Sequence, residues 1–132
     1  MSNYAKSISL DVTYDEAVPM VKAAFAAQGF GVLTEIDVRA TLGAKLGVDF
    51  EPYVILGACN PTLAHRALEV TRDIGLLLPC NVVVREHNGG VLVEALDPAV
   101  IASVPGLPEL ESIAVEATQR IEAALESLAS ST

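Results

Sequence analysis

The tetrapeptide HNGG at positions 87–90 constrains the fold of this chain more than any other feature of its sequence. It separates two runs rich in valine and leucine, at 81–86 and 91–96. Because asparagine and glycine tolerate the positive φ angles of a tight turn, the two runs are predicted to pair as an antiparallel hairpin. Alternating or mostly apolar segments predict three further strands, at 8–12, 30–36 and 53–59.

Capping residues predict helices between the strands. Thr13 and Glu16 have the spacing of a capping box, which starts a helix that Gly29 ends. Pro19 falls inside that helix, and we expect it to bend the helix or to delay its start. Asp37 is predicted to cap a further short helix.

Two later segments combine a capping side chain with a proline at the first helical position, where no amide hydrogen bond is lost. They are Asn60-Pro61 and Asp97-Pro98, and the second predicts a short helix that ends near Gly106. The last helix is the clearest, because apolar residues recur at helical spacing throughout 107–128.

These elements predict an α+β protein with an antiparallel five-stranded sheet, helices packed mainly on one face, and short helices inserted between strands. A parallel sheet competes with this interpretation, because helices separate several of the strands. Periodicity does not decide between the two. At 132 residues the chain is expected to form a single domain.

Charge excludes several classes of partner. The chain has 8 basic and 17 acidic residues, a net charge of −9, and Arg120 is its only base after Arg85. Nucleic-acid binders need basic residues to displace counterions from phosphates, so neither nucleic acid nor an anionic membrane is expected as a partner. No apolar stretch reaches the roughly 20 residues of a membrane span, and the first residues lack the apolar core of a signal peptide. We therefore expect a cytoplasmic protein.

Two cysteines are the main candidates for chemistry, since the sequence has no strong catalytic or phosphate-binding motif. Cys59 directly precedes the helix predicted at Asn60-Pro61, where free amides and the helix dipole favour a thiolate. Cys80 precedes the fourth strand. If the third and fourth strands are antiparallel neighbours, the two thiols lie at one end of the sheet; if the strands are parallel, they lie a strand length apart. Inert thiols, a reactive thiol and a metal pair all stay open.

The other ionisable candidates are weaker. His65 is a candidate third metal ligand beside the cysteines, but their spacing matches no zinc-finger pattern, and an exposed histidine near Glu69 is the simpler interpretation. His87 lies in the predicted turn and is expected to be solvated. Glu35 and Asp37 are spaced like an acid–base pair, although a surface charge and a helix cap explain them more simply. No cofactor is predicted.

Three separated motifs resemble one known family. They are GFGVLTEID at 29–37, YVILGACNP at 53–61 and LLPCNVVV at 77–84. Through them the chain is similar to the domain-of-unknown-function family numbered 302, over roughly residues 14–128. The resemblance implies a single-copy fold like that of the TATA-binding protein: a strand, a helix, a four-stranded meander with short inserted helices, and a C-terminal helix. It also implies a homodimer, and it transfers no catalytic residue because the family has no established activity.

An antiparallel meander would bring one set of residues to a single edge of the sheet, together with two helix N-termini. This set is Cys59, Asn60, Cys80, Asn81 and Asp97. Because helix N-termini attract anions, a small anionic or thiol-reactive ligand is expected there. The sequence thus supports three functions: a non-enzymatic ligand-binding homodimer, thiol-dependent redox, sulfur or metal handling through the two cysteines, and a structural or interaction dimer without a ligand.

Overall fold

The hairpin at 87–90 sets the direction of the central strands. A computed structural model describes residues 3–131 and shows strands β4 (Cys80–His87) and β5 (Gly90–Leu96) joined by that turn. Asn88 has a φ of 51° and Gly89 a φ of 79°, the left-handed conformation that a tight hairpin turn requires. The predicted hairpin is confirmed.

Three more strands complete an open sheet. They are β1 (Ala5–Leu10), β2 (Gly31–Asp37) and β3 (Tyr53–Cys59). The strand order is β1-β5-β4-β3-β2, and every neighbouring pair is antiparallel. The predicted α+β class with an antiparallel five-stranded sheet is therefore confirmed, and the competing parallel sheet is wrong. At the outer edge, the register of β2 shifts at a bulge between Val32 and Thr34.

Helices fill the connections between the strands and follow the last one. In the described part of the chain they are α1 (Tyr14–Ala26), α2 (Val38–Leu46), α3 (Pro61–Val70), α4 (Ala99–Ser103) and α5 (Glu111–Ser130). Short 3₁₀ helices at Arg72–Leu77 and Pro108–Leu110 precede β4 and α5. Because α2 and α3 lie between successive strands of the meander, the predicted inserted helices are confirmed.

The predicted N-caps of α1, α2 and α3 form, and Pro19 does not delay the start of α1. The Thr13 hydroxyl accepts a hydrogen bond from the Glu16 backbone N–H at 3.2 Å, and the Glu16 carboxylate accepts one from the Thr13 N–H at 3.1 Å. Helix α1 begins at Tyr14 without delay and contains Pro19. Since Pro19 lies on the exposed side of α1, water can hydrogen-bond the carbonyl that lacks a donor.

The first strand differs from its predicted span of 8–12. It begins three residues earlier and ends at Leu10, because its pairing with β5 runs from Ala5 opposite Leu96 to Leu10 opposite Val91. The length of this edge strand is thus set by its partner, and its own alternation of apolar and polar residues continues beyond the paired region.

One face of the sheet carries the main apolar core. Side chains alternate along a strand, so every second residue of β3, β4 and β5 points to helices α1 and α5. These inward residues are Val54, Leu56, Ala58, Val82, Val84, Val91, Val93 and Ala95, all at most 3% exposed. Phe25 of α1 and Ile121 of α5 are buried in the same cluster.

The opposite face of the sheet carries the alternate residues of the same strands. Its apolar members on the three inner strands include Tyr53, Ile55, Val83, Leu92 and Leu96, all partly exposed and outside both buried apolar clusters. Arg85 and Glu94 lie among them and form an ion pair with an Nε–Oε1 distance of 2.8 Å. We call this surface the open sheet face.

A second, smaller apolar cluster holds the remaining helices together. Buried Ala67 of α3 meets Ile74 and Leu110 from the two 3₁₀ helices. Ile101 of α4 and Ile113 of α5 pack against them. This cluster fixes α3, α4 and the start of α5 relative to one another, and thereby encloses the candidate site described below.

Replacing Ile121 by alanine is expected to lower the free energy of unfolding by about 2 to 5 kcal/mol, because it removes buried methyl groups and leaves a void in the main core. Val115 lies on the same helix but is 57% exposed, so Val115→Ala is the matched control and should change stability by less than about 0.5 kcal/mol. Urea unfolding measures both. Equal effects would contradict the placement of α5.

Candidate functional site

The end of β3, the start of β4 and the end of β5 meet at one edge of the sheet. Ala58 is paired with Cys80, and Val82 is paired with Ala95. Because Cys59 directly follows Ala58, the two cysteines lie at neighbouring positions on adjacent strands. The antiparallel arrangement on which the sequence-based site depended is the one observed.

A cavity lies between this edge and helices α3, α4 and α5. Its empty volume is about 500 Å³ including the open mouth, and about 50 Å³ of it admits the centre of a water molecule. Small side chains on the strand and two of the helices leave this space. They are Ala58, Ala64, Ala67, Ala114 and Ala117. The cavity is therefore a narrow space rather than a broad cleft.

The cavity wall is almost entirely apolar. Bulkier apolar side chains complete it, among them Phe30, Leu63, Ile101, Leu110 and Ile113. Among the described residues that line it, Asn60 alone has a nitrogen or oxygen atom in its side chain, and Cys59 and Cys80 contribute sulfur. Such a wall suits a mainly apolar ligand that carries few polar atoms.

Asn60 links the cavity to the start of α3. Its Oδ1 accepts a hydrogen bond from the Leu63 backbone N–H at 3.2 Å, which is the predicted cap. The residue is 8% exposed and is the one buried polar residue in the described chain. Because a backbone N–H only donates, the atom facing it must be oxygen, and the other amide atom of Asn60 is the nitrogen Nδ2.

Gly29 makes room for this amide. The residue has a φ of +86°, and a Cβ atom placed on it would lie 2.9 Å from Asn60 Nδ2 and 3.5 Å from Arg120 Nη1. A side chain here would be strained and would displace Asn60. Arg120 in turn donates from Nη1 to the Gln28 carbonyl at 3.2 Å, which ties α5 to the end of α1 beside the site.

Burial shifts both thiols away from reactivity. Burial in the apolar wall, together with a smaller contribution from the neighbouring Cys59, raises the pKa of Cys80 to about 11. Burial also raises the pKa of Cys59. This effect of burial opposes the thiolate that the helix N-terminus is expected to favour at Cys59, which stays a prediction.

The structure divides the five predicted site residues. Cys59, Asn60 and Cys80 line the cavity together with Pro98, whereas Asn81 and Asp97 do not. Asn81 is exposed, since it alternates with Cys80 along β4 and faces the other side of the sheet. Asp97 is turned to the start of α4, where its carboxylate accepts a hydrogen bond from the Ala99 N–H at 3.0 Å.

The weaker candidates lie elsewhere. His65 is exposed and contacts Glu69 at 3.2 Å, and it does not line the cavity. Glu35 pairs with Lys22 at 2.9 Å, while Asp37 caps α2 through the Ala40 N–H. Within residues 3–131, no three His, Cys, Asp or Glu side chains come close enough to hold a metal ion together.

The contribution of α5 to the cavity is the main feature that the sequence-based site lacked. Ala114 and Ala117 belong to the predicted apolar stripe of this helix, but the stripe does not reveal which of its members border empty space. The only sequence signal is their small size within a stripe that also has large members, such as Ile113 and Ile121. Two alanines one turn apart are also common in well-packed helices, so the signal is weak.

Comparison with known proteins gives the family. The model of the family described as "Domain of unknown function DUF302" matches residues 6–128. The chain belongs to the DUF302 family. The match begins in β1, earlier than the resemblance at 14–128 had indicated. Among curated proteins, none matches this chain significantly.

A solved DUF302 structure has the same fold. The crystal structure of an uncharacterized conserved DUF302 protein from Bacillus stearothermophilus is similar with a TM-score of 0.89 and 30% sequence identity. The similarity covers 96% of this chain and 99% of that chain. The specific likeness to the TATA-binding-protein fold stays a prediction. Within the described residues of this DUF302 protein, no helix combines the length and apolarity needed to cross a bilayer.

Iodoacetamide labelling should show slow thiols. In Cys59→Ala the remaining thiol, Cys80, should react more slowly than Cys59 does in Cys80→Ala, because its pKa is raised to about 11. Both rates should increase with pH and stay below that of the urea-unfolded protein. The folded state binds the Cys80 proton more tightly than the unfolded state does, and this difference stabilises the fold fully below the pKa of the unfolded thiol. The stabilisation is lost as the pH rises to about 11. Rapid labelling of Cys80 near neutral pH would contradict the burial.

Proposed function

We propose that this DUF302 protein is a non-enzymatic binding module that takes a small, mainly apolar ligand into the cavity at the Cys59–Cys80 edge and acts as a homodimer. The observation that carries the proposal is the cavity itself, which is walled by apolar side chains with one amide and two thiols. A preformed apolar cavity with few polar groups is the usual form of a small-molecule site. A cytoplasmic location stays a prediction.

An uncharged ligand is favoured over the anion expected from the sequence. The first turn of α3 has few free donors, since Pro61 has no N–H, the Leu63 N–H bonds to the Asn60 side chain, and the Ala64 N–H bonds to the Asn60 carbonyl. No lysine or arginine is among the described lining residues. A buried anion without a cation or several amide donors is strongly disfavoured.

The alternative function is thiol-dependent redox, sulfur or metal handling through Cys59 and Cys80. One observation favours it: both thiols border the same cavity. Their raised pKa values argue against it, because thiolates are the nucleophiles and the metal ligands. We therefore treat the thiols as soft, polarizable parts of the wall. A structural dimer without a ligand is the outcome that remains if the cavity binds nothing.

The open sheet face is the proposed dimer surface, and a second copy of this chain is its proposed partner. The face exposes apolar side chains such as Ile55 and Val83 that pack against neither helix cluster. Its charged residues, Arg85 and Glu94, neutralise each other. In a chain with a net charge of −9, a neutral apolar face is the surface on which two copies meet with the least repulsion.

A substitution that fills the cavity tests whether an apolar ligand binds there. Ala117→Leu should be tolerated within about 1 kcal/mol, because the added methyl groups enter empty space, whereas Ala124→Leu on the same helix should lose about 1 to 3 kcal/mol, because Ala124 is fully buried. Methylcyclohexane, an uncharged apolar probe, should raise the melting temperature of the native protein and of Ala124→Leu, whose cavity is unfilled, but not that of Ala117→Leu. No binding to the native protein would refute the proposed ligand.

The dimer is tested by analytical ultracentrifugation at micromolar concentration. The native protein is expected to sediment as a dimer and Val83→Lys as a monomer, because a buried, unpaired ammonium on the open sheet face opposes association. Val115→Lys, at an exposed position on α5, is the matched control and should remain a dimer. A monomeric native protein, or dissociation by both variants, would refute this surface.

A further inference from the structure

The longest stretch of the described chain without a buried residue runs from 31 to 53 and contains α2. Three large apolar side chains are exposed around this helix: Ile36, Leu46 and Val48, of which Leu46 is 69% exposed. Isolated helices shorter than about 12 to 15 residues are marginally stable in water. Helix α2 has 9 residues and packs only partly, against β2 and β3, so it gains stability from contact with a further surface.

Residues 36–51, which we call the α2 segment, continue the open sheet face. Ile36 is paired with Ile55, and directly paired residues point to the same side of a sheet. In the loop after α2, the ring of Phe50 meets the ring of Tyr53 edge to face, with centroids 5.9 Å apart. Because Ile55 and Tyr53 belong to the open sheet face, the two surfaces form one exposed apolar region.

The charges of the α2 segment are divided between its helix and its loop. Helix α2 has two basic residues, Arg39 and Lys45, and no acidic one. The loop that follows has two acidic residues, Asp49 and Glu51, and no basic one. All four are exposed, and the Arg39–Asp49 pair within the chain is long, at 3.9 Å. A surface with this division of charge is complementary to a copy of itself.

We infer that the α2 segment docks on a second copy of this chain, with the basic helix of each protomer against the acidic loop of its partner. In a two-fold dimer the same patch of both protomers meets, so this contact forms twice. Leu46 and Val48 supply the apolar part of the contact. The inference rests on the proposed homodimer, since it names a second part of the interface, next to the open sheet face. A second copy is favoured over a different protein because the charge pattern is self-complementary.

The apolar part is tested by Leu46→Glu, which replaces a leucine at the proposed contact by a charge. Its dimer dissociation constant is expected to rise about tenfold or more over that of the native protein. Leu76→Glu is the matched control, because Leu76 is 89% exposed in the 3₁₀ helix before β4, outside both surfaces. Its dissociation constant should not change. Analytical ultracentrifugation measures all three proteins, and circular dichroism verifies that the variants are folded.

A charge exchange tests the identity of the partner. Arg39→Glu/Lys45→Glu makes the helix acidic, and Asp49→Lys/Glu51→Lys makes the loop basic. Each double variant alone should dimerise about tenfold more weakly than the native protein, because helix and loop then carry like charges. An equimolar mixture should form a heterodimer, in which opposite charges face each other in both contacts. Native mass spectrometry at low ionic strength distinguishes the heterodimer by its mass.

Three results would overturn the inference while leaving the proposed homodimer intact. They are a Leu46→Glu dimer as tight as the native one, equal weakening by Leu46→Glu and Leu76→Glu, and a mixture of the charge variants without a heterodimer. In the first case the α2 segment faces solvent or a different protein. If the native protein sediments as a monomer, the proposed homodimer fails and the inference fails with it.

Discussion

Antiparallel pairing of β3 with β4 is the constraint on which the rest of this molecule depends. The two strands run in opposite directions, so Ala58 lies opposite Cys80. The same pairing places the start of α3 and the start of α4 near one edge. If β3 and β4 were parallel, Cys59, Asn60 and Cys80 would not share a cavity.

The cavity is unfilled space in the interior that persists because small side chains of the surrounding helices line it. Protein interiors are normally filled to the density of organic crystals, and unfilled space lowers stability in proportion to its volume. Here alanines on α3 and α5 stand where larger apolar residues would fill the gap, while Leu110 and Ile113 close the wall around it. Stability forgone at a concave apolar site is typical of binding sites, where the ligand supplies the missing contacts.

Local sequence signals predicted the elements well, and they predicted the site only in part. Turn and cap residues such as Asn88, Thr13 and Asn60 act over a few positions, so their effects can be predicted from the local sequence alone. The length of β1 depends on pairing with β5, and the reactivity of Cys80 depends on burial by distant helices. Both are tertiary effects. For the same reason, the sequence placed Asn81 and Asp97 at the correct edge but could not show that they lie outside the cavity.

The bulge in β2 changes the free edge of the sheet. Strand β2 is the outer edge of an open sheet and exposes Leu33, which makes it a template for strand addition by another molecule. The shift between Val32 and Thr34 breaks the regular spacing of its free backbone groups, and Glu35 and Asp37 place two negative charges along it. The bulge and these carboxylates oppose the addition of a further strand at β2.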